Sequence, residues 1–298
     1  MEWFILVLIA SMVWPLGNII DKIFLTKYVK NPFSYQILCG ITNGSLIFLL
    51  LLFTPVSFTY PWFVLGIIFG IFGWAIFMFY NKAVMTEEIS RVVPLMYLNP
   101  IFILPLAIIF LNEVLVFSKY LGVLLLVIGA ISISYKKLKK TKKSISPAIK
   151  SILIFDFLIA CYGIMIKYLL GFLDYWSVLF WVNIGGMLGA FLFLSVPKMR
   201  KNFISDISKL GKKSLVFRYF GSSTYYGGII PYYMALSIGP VSLITGVNSI
   251  QPFFVLLYAT IISLFMPKIL KEKIDKSIIS LKVLAIFLIV SGTWLVIS

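Results

Sequence analysis

The chain has 298 residues, of which 61% are hydrophobic and 12% are charged, and its formal net charge is +16 at pH 7. Soluble domains hold about 45–50% apolar and about 25% charged residues, so this composition excludes an ordinary soluble protein and predicts an integral membrane protein. The chain has no histidine, the residue most often used for acid–base chemistry and metal binding near neutral pH. Its basic residues lie between apolar segments, which indicates membrane orientation rather than nucleic-acid binding.

The chain contains ten apolar segments of about 20 residues, each long enough to cross a bilayer as a helix. A basic segment at residues 136–150 separates the first five from the last five. We interpret it as a solvated linker that anchors the orientation, and the alternative is a switch that binds anionic lipid. The apolar segments are residues 3–20, 33–53, 61–81, 89–111, 117–135, 151–170, 175–196, 214–236, 241–266 and 278–297. The predicted fold is therefore all-α, with ten transmembrane helices.

The two halves of the chain match each other at a constant offset of 152 residues. The most informative matches are Pro100 with Pro252 and Asn99 with Gln251, because prolines break the helical ladder and both amides are polar. Each half holds an odd number of spans, so the second copy must enter the membrane in the opposite orientation, as an inverted repeat. We expect five-helix repeats at residues 1–135 and 151–298, with hinges at Pro100 and Pro252. The other matches are Tyr80, Ala83, Ser90, Phe102, Leu104, Ala107 and Ile109 with Tyr232, Ala235, Ser242, Phe254, Leu256, Ala259 and Ile261.

Two charged groups in the spans have both an ordinary and a functional interpretation. Arg91 follows Glu87 and Glu88 at the beginning of the fourth span. It forms a local ion pair there, or alternatively a gate or an anion site. Asp156 lies roughly 10 Å into the sixth span, at about 1.5 Å per residue, and is the only acid that we expect to lie deep. It either makes structural hydrogen bonds or couples proton or substrate movement.

Polar side chains within the apolar spans predict a cavity, because such groups normally face protein or water rather than lipid. Lys22 and Lys167 occupy corresponding places near the ends of the first and sixth spans. With Arg91 they would make the cavity positive, unless the lysines extend to the interface instead. The tyrosines either pack in the core or form a cavity wall. The candidate substrate-binding residues are Asn18, Lys22, Tyr80, Arg91, Tyr97, Asn99, Lys167, Tyr232, Asn248 and Gln251.

Both halves repeat a few further positions in the same order. These are an alanine ending the third span (Ala83, Ala235), a proline within the fourth (Pro100, Pro252) and a glycine in the fifth (Gly129, Gly292). The first half also has Leu111-Asn112-Glu113 followed by Gly122. Over nearly the whole chain, this pattern resembles the drug/metabolite transporter superfamily and, within it, the EamA-type proteins. The second half departs from the pattern, because Phe265 stands at the place of Glu113.

The resemblance implies a ten-helix basket in which spans one to four and six to nine surround a central cavity, with spans five and ten outside it. EamA-type proteins move small metabolites by alternating access. We therefore expect a secondary transporter, with export as its direction, of a small zwitterionic or anionic metabolite such as an amino acid. The alternatives are a channel or scaffold and, least favoured, an intramembrane lipid-modifying enzyme, against which the chain lacks histidine and paired loop carboxylates.

The expected partners are a small-molecule solute and the lipid bilayer, with no nucleic acid, metal or cofactor. Cys39 and Cys161 lie in separate apolar segments without a partner spacing, which indicates packing residues. Connections after the odd-numbered spans carry 24 of the 26 Lys and Arg residues; Lys119 and Lys167 are the exceptions. The positive-inside rule then places both termini outside the cytoplasm, although the family usually keeps them inside. The expected location is the plasma or inner membrane of the cell.

Overall fold

The computed structural model describes residues 2–86, 92, 95–134, 147–265 and 279–297, and every regular element in them is helical. Short π- and 3-10-helical segments extend two of the helices, at Phe24–Tyr28 and Phe48–Leu52, and a third precedes α4 at Met96–Leu98. The α-helices are α1 Glu2–Ile23, α2 Pro32–Ile47, α3 Trp62–Thr86, α4 Asn99–Leu111, α5 Phe117–Ser134, α6 Pro147–Leu169, α7 Tyr175–Leu194, α8 Pro197–Ile207, α9 Lys212–Ile238, α10 Val241–Asn248, α11 Gln251–Phe265 and α12 Ile279–Ile297.

Many of these helices have the length and composition of membrane spans. Within the described residues, six segments are long and apolar enough to cross a bilayer: Glu2–Tyr28, Pro32–Leu52, Trp62–Thr86, Lys150–Leu169, Tyr175–Leu194 and Val241–Ile262. Three shorter apolar helices are Asn99–Leu111, Phe117–Gly129 and Phe287–Ile297. The protein is therefore an all-helical, multi-pass membrane protein.

The helix boundaries differ from the predicted spans in four places. Helix α6 begins at Pro147, inside the predicted linker, because proline is well tolerated in the first helical turn; residues 135–146 lie outside the described part. The short helix α8, with Lys198, Arg200 and Lys201 near its start, was not predicted. The predicted ninth span is divided into α10 and α11. In the fourth span, residues 87–91, 93 and 94 lie outside the described residues, and α4 begins only at Asn99.

Helices α3 and α7 cross so closely that their backbones touch. A Cβ atom added to Gly70 would lie 2.1 Å from the Val182 carbonyl oxygen, and one added to Gly185 would lie 2.1 Å from the Ile67 carbonyl oxygen. Glycine is required at such a crossing because any side chain would separate the two helices. This contact joins the first half of the chain to the second.

Helices α5 and α12 form a second close pair. A Cβ atom added to Gly122 would lie 2.9 Å from the Gly292 carbonyl oxygen, and one added to Gly292 would lie 2.7 Å from the Gly122 carbonyl oxygen. The two glycines thus let the fifth and last apolar helices pack against each other, backbone to backbone.

Helices α2 and α7 begin with the same kind of cap. Asn31 Oδ1 accepts hydrogen bonds from the backbone N–H groups of Phe33 and Ser34 at the start of α2. Asp174 Oδ1 accepts from the N–H groups of Trp176 and Ser177 at the start of α7. Both side chains satisfy N–H groups that have no partner within the helix.

Candidate functional site

A cavity of about 280 Å³ lies between the two halves of the chain. Its described lining comes from α1, α2, α3, Met96, α4, α6, α7, α9, α10 and α11, and includes no residue of α5, α8 or α12. The volume is close to the lower end of typical ligand pockets, which hold about 300–1,000 Å³. The cavity is therefore of a size for a small solute.

Six of the ten candidate substrate-binding residues line this cavity. They are Asn18, Tyr80, Asn99, Tyr232, Asn248 and Gln251. The Tyr80 hydroxyl donates to Asn18 Oδ1 at 3.3 Å, and the Ser11 hydroxyl donates to Asn248 Oδ1 at 2.9 Å. The Tyr232 ring packs against Trp14 with ring centroids 5.0 Å apart. The polar residues of several spans thus meet at one place.

Three of these amides carry atoms that are buried without a hydrogen-bond partner. The atoms are Asn18 Nδ2, Asn99 Oδ1 and Gln251 Oε1. A buried polar atom without a partner destabilises a protein by about 1–3 kcal/mol. Asn99 and Gln251 lie 152 residues apart, and each is the first residue of a helix beside the cavity, α4 or α11. The proposed hinges, Pro100 and Pro252, follow them directly.

The two lysines do not line the cavity. Lys22 Nζ donates to the Val84 carbonyl oxygen at 2.6 Å, in the last turn of α3. Lys167 Nζ donates to the carbonyl oxygens of Leu236 at 2.6 Å and Gly239 at 2.8 Å, at the end of α9. The last carbonyl groups of a helix have no partner within it, and a lysine can supply one. Both lysines thus bind carbonyl oxygens at the end of a helix, Lys22 on α3 and Lys167 on α9.

The last two candidates fall on less completely described parts of the chain. Arg91, with Glu87 and Glu88 before it, lies outside the described residues. Tyr97 belongs to the 3-10 turn before α4, and the described part of the chain does not include its side chain.

The charged group that sequence reasoning missed is Arg218 on α9, which lines the cavity and is 3% exposed. We had counted it with the basic connection before the eighth span. Its five N–H groups all find acceptors, and only the Asp21 carboxylate among them is charged. The contacts are Nε to Thr42 Oγ1 at 3.3 Å, Nη1 to Asp21 Oδ1 at 3.3 Å and to the Tyr35 hydroxyl at 2.7 Å, and Nη2 to Asn43 Oδ1 at 3.4 Å and Ser222 Oγ at 3.3 Å.

Asp21 on α1 is the other charged residue of this cluster, and it also lines the cavity. Its Oδ1 atom accepts hydrogen bonds from the Tyr35 hydroxyl and from Arg218. Among the described acids, Asp156 is the more completely buried, but Asp21 is the one that lines the cavity. Asp21 lies one residue past the predicted end of its span and Arg218 lies inside its own, and an arginine within a span is by itself a signal of function.

Asp156 lies on α6 and is 0% exposed, but it is not among the residues that line the cavity. Neither of its carboxylate oxygens has a hydrogen-bond partner. Its neighbour Phe155 does line the cavity. Asp156 therefore makes no hydrogen bond of the kind that the structural alternative requires.

Glu113 also acts at a helix end. Its carboxylate accepts hydrogen bonds from the backbone N–H groups of Val241 and Ser242 and from the Ser242 hydroxyl, at 2.9, 3.2 and 3.0 Å. A negative side chain at a helix N-terminus satisfies free N–H groups and interacts favourably with the helix dipole. Glu113 of the first half thus holds α10 of the second.

Comparison with known proteins finds a similarity in the first half of the chain. Residues 1–135 match the model of the EamA-like transporter family. The matched segment includes Asn18, Asp21, Tyr80 and Asn99 of the cavity. The sequence has no match among curated proteins.

The fold of the whole chain, including the part beyond residue 135, has a counterpart among solved structures. A crystal structure titled only as that of a protein aligns with 96% of this chain and 95% of its own, with a TM-score of 0.62 and 15% sequence identity. At that identity the likeness concerns the fold alone.

Proposed function

We propose that the chain is a secondary transporter that moves a small polar solute by alternating access around the cavity between its halves. The observation that carries the proposal is the cavity itself, which lies among apolar helices, several of them of membrane-spanning length, and is yet lined by Asn18, Asn99, Asn248 and Gln251. Hydrocarbon cannot solvate such side chains, and a polar solute or water can supply the partner that Asn18 Nδ2, Asn99 Oδ1 and Gln251 Oε1 lack within the protein. The match of residues 1–135 to the EamA-like transporter family supports the same function, and a transporter of this kind is not an enzyme.

The proposed architecture is ten transmembrane helices in two inverted five-helix repeats, residues 1–135 and 151–298, joined by the linker at 136–150. The equivalent lysine contacts support it, because Lys22 binds Val84 and Lys167 binds Leu236, which lie 152 residues apart. Helix α9 is the proposed eighth span although it is not among the six apolar segments. Its many polar, tyrosine and glycine residues contribute to the cavity lining and lower its hydropathy.

The proposed solute is a zwitterionic or anionic metabolite, with an amino acid as the first choice. The two lysines no longer support an anion, because they bind helix ends rather than the cavity. Arg218 supplies the cation at the cavity in their place, and Asp21 balances it. The proposed orientation places the connections after odd-numbered spans on the cytoplasmic side, because the basic residues lie there. Export is the proposed direction of transport.

The test is transport by the purified protein in proteoliposomes. Vesicles would be supplied with a labelled mixture of amino acids and other small carboxylates, and uptake would be compared with protein-free vesicles. A transporter gives saturable uptake and counterflow, in which unlabelled solute inside accelerates entry of label. Linear, unsaturable flux without counterflow would indicate a channel, and absence of flux for the whole mixture would contradict the proposed solute class.

A further inference from the structure

The charged residues that line the described cavity are one acid and one base, Asp21 and Arg218. Their side chains are 23% and 4% exposed, so Asp21 is the more accessible of the two. They belong to α1 and α9, one helix from each half. The described lining therefore carries opposite fixed charges that sum to zero.

The pair is held by a contact that a solute could replace. Arg218 Nη1 and Asp21 Oδ1 are 3.3 Å apart and form a single contact. Close charge-assisted hydrogen bonds measure about 2.7–2.9 Å, and an arginine often makes two of them to the two oxygens of one carboxylate. The other four N–H groups of Arg218 bind neutral oxygens. A guanidinium bound mostly to neutral acceptors gains from a carboxylate that offers two oxygens in its plane.

We infer that Asp21 and Arg218 together recognise a zwitterion, with the solute carboxylate on Arg218 and its ammonium group on Asp21. This inference rests on the proposed transport function and narrows its solute class. A zwitterion places each of its charges next to an opposite one and leaves the cavity neutral. An anion would place a second negative charge near Asp21, and a cation would place a second positive charge near Arg218. Repulsion between like charges is strong in low-dielectric surroundings, so both solutes would bind less well.

The unpaired amide atoms complement the same solute. Asn18 lies three residues before Asp21, on the same face of α1, and its Nδ2 atom is a free donor. Asn99 Oδ1 and Gln251 Oε1 are free acceptors on residues that line the cavity. Two acceptors and one donor match an ammonium group and a carboxylate, once side-chain rotation brings the atoms to the solute.

The rest of the wall favours an apolar side chain on that zwitterion. Trp14, Trp74, Phe77, Tyr225 and Tyr232 contribute aromatic surface to the cavity. Such surface stabilises an aliphatic or aromatic group by removing it from water. The solute class is therefore a small amino acid-like zwitterion with an apolar side chain.

The experiment compares solutes that share a side chain and differ in charge. One set is leucine, 4-methylpentanoate and isoamylamine, and the other is phenylalanine, 3-phenylpropanoate and 2-phenylethylamine. Uptake by wild-type proteoliposomes is measured at pH 7. We expect each zwitterion to be transported at least about tenfold more efficiently than its anion and amine counterparts, a factor equivalent to about 1.4 kcal/mol.

Variants assign that selectivity to the pair. Asp21→Asn/Arg218→Gln should remove the preference for zwitterions. Asp21→Glu retains the carboxylate and should keep the preference, and it gives a second measurement in case the double variant folds poorly. Asp206→Asn/Arg200→Gln makes the same chemical changes on the surface helix α8 and should keep the wild-type preference. Monodisperse elution of each variant establishes that it is folded.

Where a zwitterion is transported, two results would overturn the inference. One is transport of an anion or amine by the wild type as efficient as that of its zwitterion, which leaves the proposed transporter intact. The other is a wild-type preference that survives in the folded Asp21→Asn/Arg218→Gln variant. If neither zwitterion moves, the inference fails, and only the mixed-solute assay then decides the proposed function.

Discussion

Two helix crossings beside the cavity occupy equivalent places in the proposed repeat but differ in chemistry. Gly70 on α3 and Ser222 on α9 lie 152 residues apart, the offset that relates the two halves there. The helix caps Asn31 and Asp174 lie 143 residues apart, and the same offset relates Thr42 on α2 to Gly185 on α7. At the α3–α7 crossing, Gly70 and Gly185 bring two backbones into contact. At the α2–α9 crossing, the Ser222 hydroxyl donates to Thr42 Oγ1 at 3.0 Å beside Arg218.

The difference indicates which crossing separates more easily. Close backbone packing has no partner other than the opposite helix, so opening it loses dispersion contacts that lipid or water must replace. Hydrogen bonds exchange with water at a net change of only about 1 kcal/mol each. We therefore expect the α2–α9 crossing to open first and the α3–α7 crossing to stay closed longest.

The largest effect should come from a side chain at the glycine crossing. Gly185→Leu places atoms where even a Cβ would meet the Ile67 carbonyl oxygen at 2.1 Å, so we expect destabilisation by more than about 3 kcal/mol, or no folded protein. Thermal unfolding of the purified protein measures it. Gly211→Ala is the matched control, because nothing lies within 4 Å of its added Cβ. Equal stability of the two variants would show that the backbones do not touch.

Removing the arginine of the polar crossing should have the next largest effect. Arg218→Gln leaves Asp21 without its charged partner and should destabilise the protein by about 3 kcal/mol. Asp21→Asn/Arg218→Gln should lose less than the two single variants added together, because neither charge is then left alone. Thermal or denaturant unfolding of all three variants gives this coupling. Strict additivity would mean that the pair does not interact.

The capping lysines should have smaller and similar effects. Lys22→Met and Lys167→Met each remove hydrogen bonds to helix-end carbonyl oxygens, so each should lower the free energy of unfolding by about 1–2 kcal/mol. Solute selectivity should stay as in the wild type, since neither lysine lines the cavity. A change of preferred solute in either variant would indicate that the lysine takes part in solute binding.

The smallest effect on stability is expected for Asp156→Asn. The carboxylate has no hydrogen-bond partner to lose, so the free energy of unfolding should change by less than about 1 kcal/mol. Under the coupling interpretation of Asp156, the variant should keep counterflow and lose accumulation driven by a pH gradient. Unchanged accumulation would exclude the coupling role.

Most of the fold could be predicted from apolar length, because a span needs about 20 apolar residues whatever its neighbours are. Six cavity residues could be predicted for a related reason, since Asn, Gln and Tyr side chains in such spans must face protein or water. The partners of Lys22 and Lys167 could not be predicted. They are backbone carbonyl groups more than 60 residues away, and every residue type offers the same group.

The polar cluster was missed for a different reason. Asp21 and Arg218 both lie near predicted span boundaries, where charged residues are usually solvated, and their contact joins positions 197 residues apart. When a span boundary is predicted a few residues from its true place, the residues of a buried ion pair are assigned to solvated loops. The split of the ninth span between Asn248 and Gln251 was missed because Ser249 and Ile250 do not interrupt the apolar pattern.

A native thiol offers the most direct test of the central claim, that solute enters a cavity between the halves. Cys39 lines the cavity, whereas Cys161 on α6 does not. In proteoliposomes, the Cys161→Ser variant would be treated with a membrane-impermeant thiol reagent from each side, with and without saturating leucine, and Cys39→Ser would report on Cys161. We predict that Cys39 reacts and that leucine slows its reaction severalfold while leaving Cys161 unaffected. Failure of Cys39 to react from either side, or a rate that leucine leaves unchanged, would contradict the account.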